Sequence, residues 1–455
     1  MQIATPRTLT PLLLLLLSGS AIAGSALPDT LTYTVRPGDS LLRIASRERA
    51  ATNHYAVQDL LDAIVTANGL QGALIRPGQV LRLPVVPRVE PPRVADIPGA
   101  GTPYRGIYLS GPVCGTRHVF PRVDAFINAG GNAVVFDVKD ADGGVSFRSR
   151  QDLAGWGKGR NAPVISSLDE LLRRFRERGL HVTARVACFL DGDLGRARPD
   201  LALHDADGAP WAERDQIWVN PADPEVQDYV IGLALEAAAA GVDEIQFDYV
   251  RFPTNGWTAD APDDPAARAA RRRAVITGFL ARADSALAAY PVEISADLYG
   301  IMAWGRLADR AVTGQHIADI ARHVDVLCPM VYPSHYKRGY HGFDDPADHP
   351  GYFVGEPTRR FLAQAQGRAR VRPWLQAFPY RVDDYGAGYV AVQIHAALDA
   401  GADGWLLWNP ASMYGEALAA VMTGAPVPSA WVQGPQGPVA PPLAPPLMPR
   451  QLGLP

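Results

Sequence analysis

Eight short apolar runs, separated by segments of helical periodicity, extend from residue 104 to about residue 420. Such alternation predicts βα units, in which each parallel strand is followed by a helix that crosses back over the sheet. The predicted strands are Gly106–Ser110, Ala133–Asp140, His181–Phe189, Glu244–Pro253, Val292–Gly300, Val324–Pro333, Arg372–Phe378 and Gly404–Pro410.

The segments between these runs carry helix start and stop signals. Ser167 and Glu170 have capping-box spacing, and Pro224 stands at the first turn of a helix that reaches Ala240. Glycines stand where helices must end, at Gly130, Gly179, Gly241 and Gly401. Eight units in about 310 residues predict a (β/α)8 TIM barrel. An open doubly wound sheet is the alternative, although Ser110–Gly115 lacks its glycine-rich phosphate turn.

Strict alternation along the strands predicts which side chains face the barrel interior. In the second strand, Phe136 and Val138 face the helices, so Asp137 and Lys139 face inward. By the same parity Asp248 on the fourth strand and Asp297 on the fifth also face inward. Three carboxylates at similar heights near the carboxyl ends of strands are costly unless they are partnered or functional. They are the candidate catalytic residues.

The last three strands end in aromatic, amide and hydroxyl side chains, which suit a sugar ligand because sugars stack on rings and accept directional hydrogen bonds. We expect Trp374 and Trp405 to face the helices. The predicted substrate-binding set is Lys139, Arg251, Tyr332, His335, Tyr336, Gln376, Trp408 and Asn409.

The N-terminal block, residues 31–85, predicts a compact βααβ unit. Pro37-Gly38 and Pro77-Gly78 form turns next to its two strands, and Asn68-Gly69 ends its second helix, about 57–67. Its first helix is predicted at 41–49, after Asp39 and Ser40 as capping residues.

Composition changes mark the remaining segments. Residues 1–23 read as a cleaved export signal with Arg7, an apolar run and Ala21-Ile22-Ala23, and an uncleaved anchor is the alternative. Residues 86–103 form a proline-rich linker, and residues 424–455 predict a disordered proline-rich tail. We therefore expect an exported, periplasmic or extracellular protein that is not inserted in the membrane after cleavage.

The charge balance and the three cysteines exclude some classes of partner and site. Lys and Arg number 43 against 47 Asp and Glu, which argues against nucleic acid as a partner. Cys114, Cys188 and Cys328 are too scattered for a disulfide framework or a metal site. We expect neither a metal nor a cofactor.

The N-terminal block resembles a LysM module, a family that binds N-acetylglucosamine-containing glycans such as peptidoglycan. The two Pro-Gly turns, Asn68-Gly69 and the final strand, residues 79–84, carry the resemblance. It implies glycan contacts from the loops that hold Pro37, Gly38, Asp39, Ser40, Asn68, Gly69 and Leu70. The segment between its helices, residues 50–56, is longer than is usual for LysM, and a LysM fold without glycan binding is the alternative.

Residues 104–423 resemble a bacterial glycoside hydrolase family formerly classed as a domain of unknown function. The resemblance rests on the stretches 106–110, 132–140, 246–253, 295–297, 329–336 and 407–410. It implies a glycosidase acting on a cell-wall or extracellular polysaccharide. One departure is Ala377, which stands where an acidic residue is expected.

Two carboxyl groups on neighbouring strands predict a retaining mechanism, because that reaction needs them about 5–5.5 Å apart. Asp248 would be the nucleophile and Asp297 the acid/base. Asp137 paired with Asp248 is the inverting alternative. Lys139 and Arg251 are the expected cations beside these carboxylates.

Two other functions are compatible with the sequence. Ala377 and the separate glycan-binding block are also consistent with a non-catalytic, lectin-like wall-binding protein. A metal-dependent deacetylase is a third hypothesis, based on His335, His341 and His349 with Asp344, Asp345 and Asp348, although these lack tight ligand spacing.

Overall fold

The computed structural model describes residues 29–87, 103–151, 153–156, 163–213, 216–254, 258 and 264–423. The predicted export signal, most of the predicted linker and the predicted tail lie outside these residues. Among the helices of the described ranges, none is long and apolar enough to cross a bilayer.

The N-terminal block has the predicted βααβ order. Its elements are β1 (Thr30–Thr34), α1 (Leu41–Thr52), α2 (Val57–Ala67) and β2 (Val80–Pro84). The two strands pair antiparallel. Ser40 caps α1 by accepting from the N–H of Arg43. α1 ends at Thr52, three residues later than predicted, and Asn53 follows in the left-handed region. The helices and strands enclose a small core centred on Leu41, Ile44, Leu60, Ile64, Leu81 and Leu83.

The larger part of the chain supplies the other strands. They are β3 (Tyr104–Leu109), β4 (Ala133–Lys139), β5 (His181–Ala187), β6 (Ala212–Glu213), β7 (Gln216–Ile217), β8 (Glu244–Asp248), β9 (Glu293–Tyr299), β10 (Val326–Met330), β11 (Arg370–Val371), β12 (Trp374–Gln376) and β13 (Gly404–Trp408). β6 and β7 form a separate two-stranded hairpin, and β11 is a short addition beside β10.

Helices follow the barrel strands in turn. They are α3 (Gly111–Cys114), α4 (Val119–Asn128), α5 (Leu168–Arg176), α6 (Gly192–Ala197), α7 (Pro224–Ala240), α8 (Pro265–Leu287), α9 (Leu307–Thr313), α10 (Ile317–Ile320), α11 (Pro350–Ala365), α12 (Ala387–Asp399) and α13 (Gly415–Thr423). The predicted caps are confirmed: Ser167 accepts from the N–H of Glu170, and Gly241 ends α7 at φ 92°.

Eight parallel strands close into a TIM barrel, as predicted. The order is β3, β4, β5, β8, β9, β10, β12 and β13, and β13 pairs with β3 to complete the circle. The open doubly wound alternative is therefore wrong. Several strands are shorter than predicted, most clearly β8, which ends at Asp248 because Tyr249 adopts a positive φ.

Side-chain alternation divides the apolar core into two layers. Phe136, Val138 and Phe247 belong to the outer layer between barrel and helices, as predicted. The inner layer fills the barrel with Tyr104, Tyr108, Ala133, Val135, Val326, Cys328, Tyr332, Trp374, Phe378 and Leu406. Trp405 faces the helices as expected. Trp374 does not, and the prediction for it is wrong.

An ion-pair network crosses the barrel at the amino ends of the strands. Arg372 donates to Glu244 at 2.7 Å, and Arg370 donates to Glu293 at 2.6 Å. Both arginines also donate to Asp403. His181 lies 3.2 Å from Glu244. Glu244 and Arg372 are fully or almost fully buried, so their charges neutralise one another away from water.

Candidate active site

Asp137, Asp248 and Asp297 all face the interior near the carboxyl ends of β4, β8 and β9, as parity predicts. Their exposed fractions are 1%, 5% and 1%. The last residues paired between β8 and β9 are Phe247 and Ala296, and Asp248 and Asp297 follow them directly. The two carboxyl groups therefore start from neighbouring positions on adjacent strands, which run about 4.8 Å apart.

Arg185 on β5 is the central cation of this site, and sequence reasoning missed it. Its Nε and Nη2 donate to one oxygen of Asp248 at 2.9 and 2.6 Å, and its Nη1 donates to Asp137 at 2.5 Å. Burial opposes the charge, but Asp248 and Asp137 hold the pKa of Arg185 well above its usual value. One guanidinium thus joins two of the three carboxylates.

The signal for Arg185 was present in the sequence. Val182, Ala184 and Val186 face the outer layer of the barrel, so Thr183 and Arg185 must face inward. A charged residue at an inward strand position is as informative as the three aspartates, and alternation alone locates it.

The backbone of Tyr249 contacts the other carboxylate oxygen of Asp248. Its φ of 50° is unusual for a bulky side chain and turns the chain sharply after β8. In this conformation the Tyr249 N–H donates to Asp248 Oδ1 at 2.6 Å. Backbone strain of this kind persists only where the surroundings impose it, and it often occurs at functional sites.

Asp137 is held by a second donor, the phenol of Tyr108, at 2.5 Å. The Tyr108 ring stacks on Trp408 with centroids 4.1 Å apart, and Trp408 also lies 5.1 Å from the Arg185 guanidinium carbon. Burial raises the pKa of Asp137, whereas Arg185 and Tyr108 oppose that rise. Trp408 is half-buried at this site, in line with its predicted place.

Asp297 has a different environment from the other two carboxyl groups. Its side chain accepts from Trp374 Nε1 at 2.7 Å, and within the described residues no cation hydrogen-bonds to it. Burial, and then the charge of Asp248, raise the pKa of Asp297 well above its ordinary value. The protonated form of Asp297 is thus favoured.

Lys139 and Arg251 do not supply the predicted cations. Lys139 is fully buried, and its Nζ contacts Asp191 at 3.1 Å and the carbonyl of Ala187 at 2.7 Å. The Arg251 guanidinium lies between aromatic rings, 4.6 Å from Trp218 and 4.4 Å from Tyr299. Arg185 takes the role that we expected of both.

Two more predicted binding residues, Tyr332 and His335, pack on each other, and Tyr332 lies near the carboxylates. Burial, Asp297 and Asp248 all raise the pKa of Tyr332, which places its phenol in their field. His335 packs on Tyr332 and stacks on Tyr380. Burial, together with Arg381, lowers the pKa of His335 to about 4. His335 is therefore neutral near neutral pH.

The structure places three other predicted binding residues in supporting roles. The side-chain amide of Gln376 donates to the backbone carbonyls of Phe378 and Tyr380. Asn409 donates to the carbonyl of Ala377 at 2.7 Å. Tyr336 packs in a separate aromatic cluster, with Phe343 and Phe353. These three side chains brace the loops around the site instead of lining it.

Ala377 belongs to the outer core between barrel and helices, with 1% of its surface exposed. A carboxylate built there would point away from Asp137, Asp248 and Asp297. The alanine at this position therefore removes no group from the site.

The proposed metal loop does not gather its ligands. His341 contacts the ring of Trp304, whereas His349 packs on Phe343. In the described part of the chain, the group with metal-compatible spacing is His181, Glu244 and Glu293, at the opposite end of the barrel. Because arginines already donate to both glutamates there, these residues do not fit a metal site.

The predicted LysM loops are built around internal hydrogen bonds. Asp39 accepts from the Tyr33 phenol at 2.7 Å and from the Arg36 N–H at 2.8 Å. Asn68 bridges α2 to β2 through the backbone of Arg82. Gly38, Ser40 and Gly69 are exposed and Leu70 is half-buried, so these loops offer mainly backbone and small side chains to a ligand.

Comparison with solved structures gives similar chains. A hypothetical protein from Ruminiclostridium thermocellum is 31% identical over 42% of this chain and 96% of its own length, with a TM-score of 0.36. The PgaB (BpsB) glycoside hydrolase domain from Bordetella bronchiseptica is 13% identical over 68% of this chain and 94% of that domain, with a TM-score of 0.52. The latter likeness concerns the fold alone.

The spore cortex-lytic enzyme SleL of Bacillus megaterium is 13% identical and covers 87% of both chains, with a TM-score of 0.42. No curated protein matches this chain. Residues 33–84 match the LysM domain family, which confirms the N-terminal resemblance. Residues 106–414, more than half of the chain, match a second family, and the three carboxylates lie within these residues. The protein therefore belongs to the family described as "Putative glycosyl hydrolase domain".

Proposed function

We propose that the barrel is a retaining glycosidase that cleaves peptidoglycan or a related N-acetylglucosamine-containing wall polysaccharide. The observation that carries the proposal is the unequal environment of two neighbouring carboxyl groups. Asp248 is bound by Arg185 and by the Tyr249 N–H, whereas Asp297 is buried against Trp374 with a raised pKa. Pairs of carboxyl groups in such contrasting environments divide acid and nucleophile roles between them.

The reaction has two displacements. Protonated Asp297 gives its proton to the glycosidic oxygen while a carboxylate oxygen of Asp248 attacks the anomeric carbon, so the aglycone leaves as an alcohol. Asp297, now a carboxylate, takes a proton from water, and that water attacks the anomeric carbon and breaks the bond to Asp248. This leaves Asp297 protonated again and releases Asp248 as a carboxylate.

The retaining geometry is supported by strand spacing. Asp248 and Asp297 occupy neighbouring positions on adjacent strands, which suits a separation of about 5–5.5 Å between carboxyl groups. The inverting alternative pairs Asp137 with Asp248. It is less favoured because Asp137 and Asp248 accept from the same guanidinium. A shared cation does not give two carboxyl groups the different environments that an acid and a base need.

The lectin-like alternative loses its main support. It rested on the separate glycan-binding block and on Ala377, and the Ala377 side chain lies in the outer core, away from the carboxylates. We therefore assign the barrel to catalysis and the LysM module to attachment on the wall, outside the cytoplasm.

The test is release of reducing ends from purified peptidoglycan glycan strands by wild type, Asp248→Asn and Asp297→Asn. We expect Asp248→Asn to lower turnover roughly 10³-fold or more, since the nucleophile is lost. Asp297→Asn should lower turnover mainly for substrates with poor leaving groups, which need a proton from the acid. Turnover equal to wild type in both variants would refute the assignment.

The stereochemistry of the first product distinguishes the two mechanisms. Proton NMR of the anomeric signals in the first minutes of reaction should show retention for the Asp248–Asp297 pair. Inversion, combined with loss of activity in Asp137→Asn, would favour the Asp137–Asp248 pair instead.

A further inference from the structure

Tyr55, in the turn between the two LysM helices, packs into the barrel and not into its own domain. It is fully buried and belongs to the large core around the barrel, separate from the small core of residues 31–85. Its ring meets Phe120 of α4 edge-on, with centroids 5.1 Å apart, and the Arg174 guanidinium lies 5.7 Å from it. A buried aromatic side chain in a partner's core is the usual anchor of a protein interface.

Polar contacts surround this anchor. Ser166 Oγ donates to the carbonyl of Tyr55 at 2.8 Å. Arg174 approaches Asp59 of α2 at 3.7 Å, and Arg117 donates to Asp62 at 3.3 Å. The exposed ion pairs add little affinity by themselves, but they fix the rotation of the module about Tyr55.

The turn that carries Tyr55 is held by contacts within the LysM module and with the first residue of the linker. Asn53 adopts a left-handed conformation, φ 57°, and its side-chain amide donates to the carbonyl of Val86 at 3.0 Å. The Val86 N–H donates to the carbonyl of Thr52, and the Ala56 N–H donates to Asp59. The unusual length of residues 50–56 therefore serves to present Tyr55 in a preformed turn.

The docked end is opposite to the glycan end. α1 and α2 form a hairpin with Tyr55 at its turn, so residues 35–40 and 68–79 lie at the other ends of the helices. Exposed apolar side chains occur at that free end: Leu42, Leu74 and Val80 are 59%, 80% and 60% exposed. Docking therefore leaves the predicted glycan loops open.

The docking surface lies at the catalytic end of the barrel. Phe120 lies in the first turn of α4, after β3, and Ser166 lies in the loop between β4 and α5, and loops and helix starts that follow barrel strands lie at the carboxyl ends of those strands. From there the contact extends along α5 to Arg174 in its last turn. We propose that Tyr55 fixes the LysM module rigidly beside the barrel mouth, so that module and barrel bind one long glycan strand as a single surface. The glycan part rests on the proposed function.

A fixed module raises the effective concentration of the glycan at the barrel only when one strand can reach both sites. Long strands should therefore gain affinity from docking, whereas short oligosaccharides should not. Releasing the module would leave each site intact and reduce only the advantage of the long strand.

The test compares full-length wild type with Tyr55→Ala and with Tyr55→Phe as control. The Tyr55 hydroxyl has no hydrogen-bond partner among the described residues, so the phenylalanine keeps the anchor. Calorimetry should show one unfolding transition for wild type and Tyr55→Phe. Tyr55→Ala should show two, because the module loses its coupling to the barrel. A single unchanged transition in Tyr55→Ala would overturn the docking.

Binding provides the second measurement. Tyr55→Ala should bind long purified glycan strands about 10-fold or more weakly than wild type while binding chitotetraose equally. Equal affinity for long strands would refute the single-surface inference. If no variant binds any glycan, the proposed function fails, while calorimetry still decides the docking. Should Tyr55→Ala not fold, Tyr55→Leu retains part of the buried volume and serves in both measurements.

Discussion

Both ends of the barrel contain carboxylates and arginines, but the two ends differ in how many cations meet the carboxylates. At the amino ends of the strands, Glu244, Glu293 and Asp403 are met by Arg370 and Arg372, with His181 beside them. At the carboxyl ends, Arg185 is the cation for Asp137 and Asp248, and Asp297 accepts from Trp374 instead. The first arrangement is close to neutral and stabilises the barrel. The second leaves one carboxyl group without a cation, and that group can carry a proton in a reaction.

The pKa directions at the two ends follow from this balance. Burial opposes the ionisation of Glu244, but Arg372 and His181 hold its pKa below the ordinary value. Burial raises the pKa of Asp297, and Asp248 raises it further. Equal burial thus gives opposite results, because Arg372 and His181 outweigh it at Glu244, whereas Arg185 opposes it at Asp297 without outweighing it.

The largest effect should come from removing the cation at the carboxyl ends of the strands. Arg185→Met leaves Asp137 and Asp248 buried without their charge partner and should lower the free energy of unfolding by about 3–5 kcal/mol near neutral pH. The loss should shrink as pH falls, because both carboxyl groups can then be protonated. Urea unfolding at several pH values checks this. A loss that is equal at all pH values would contradict it.

Arg372→Met makes the same change at the other end. We expect a somewhat smaller loss, about 3 kcal/mol, because His181 remains within hydrogen-bond distance of Glu244. Turnover per folded molecule should stay at the wild-type value, in contrast to Arg185→Met. A fall in turnover without loss of folded protein would mean that the two ends do not divide stability and catalysis in this way.

The pH dependence of stability should have opposite signs at the two ends. The folded pKa of Asp297 is raised, so its contribution is present below about 3.8 and is lost as pH rises through the folded pKa. Asp297→Asn should therefore gain stability relative to wild type as pH rises, by about 1.4 kcal/mol for each unit of pKa shift.

Glu244 provides the matched comparison. Its folded pKa is depressed, so the stability it contributes above the unfolded pKa is lost as pH falls through the folded value. The deficit of Glu244→Gln against wild type should accordingly shrink in acid. Thermal unfolding between about pH 2 and 8 measures both variants, because the Glu244 contribution is lost below about 4.5 and the Asp297 contribution above about 3.8. Parallel curves for the two would refute the contrast.

The smallest effect should come from Tyr108→Phe. It removes the phenol that donates to Asp137 but keeps the ring stacked on Trp408, and should cost about 1 kcal/mol. The pKa of Asp137 should rise, because a hydrogen bond to its carboxylate is lost. Carbon-detected NMR titration of the aspartate carboxyls measures that pKa. An unchanged or lowered value would argue against the hydrogen bond.

Sequence periodicity determined the barrel, the βααβ block and the inward direction of the three aspartates. These features depend on side-chain alternation, glycine stops and capping residues, which are local and can be read along the chain. Alternation would also have located Arg185, had it been applied to β5. The tail, signal and linker predictions concern residues outside the described ranges and stay predictions.

Only the tertiary structure decided which partners meet. Arg185 bridges β4 and β8 from the strand between them, and Trp374 reaches Asp297 across the barrel interior, so neither pairing has a fixed sequence separation. The same holds for Tyr55, whose partners are more than 50 residues away in the chain. Alternation specifies which face of the strand a side chain takes. Closure of the barrel brings its partners within hydrogen-bond distance, and those contacts decide which carboxyl group holds a proton.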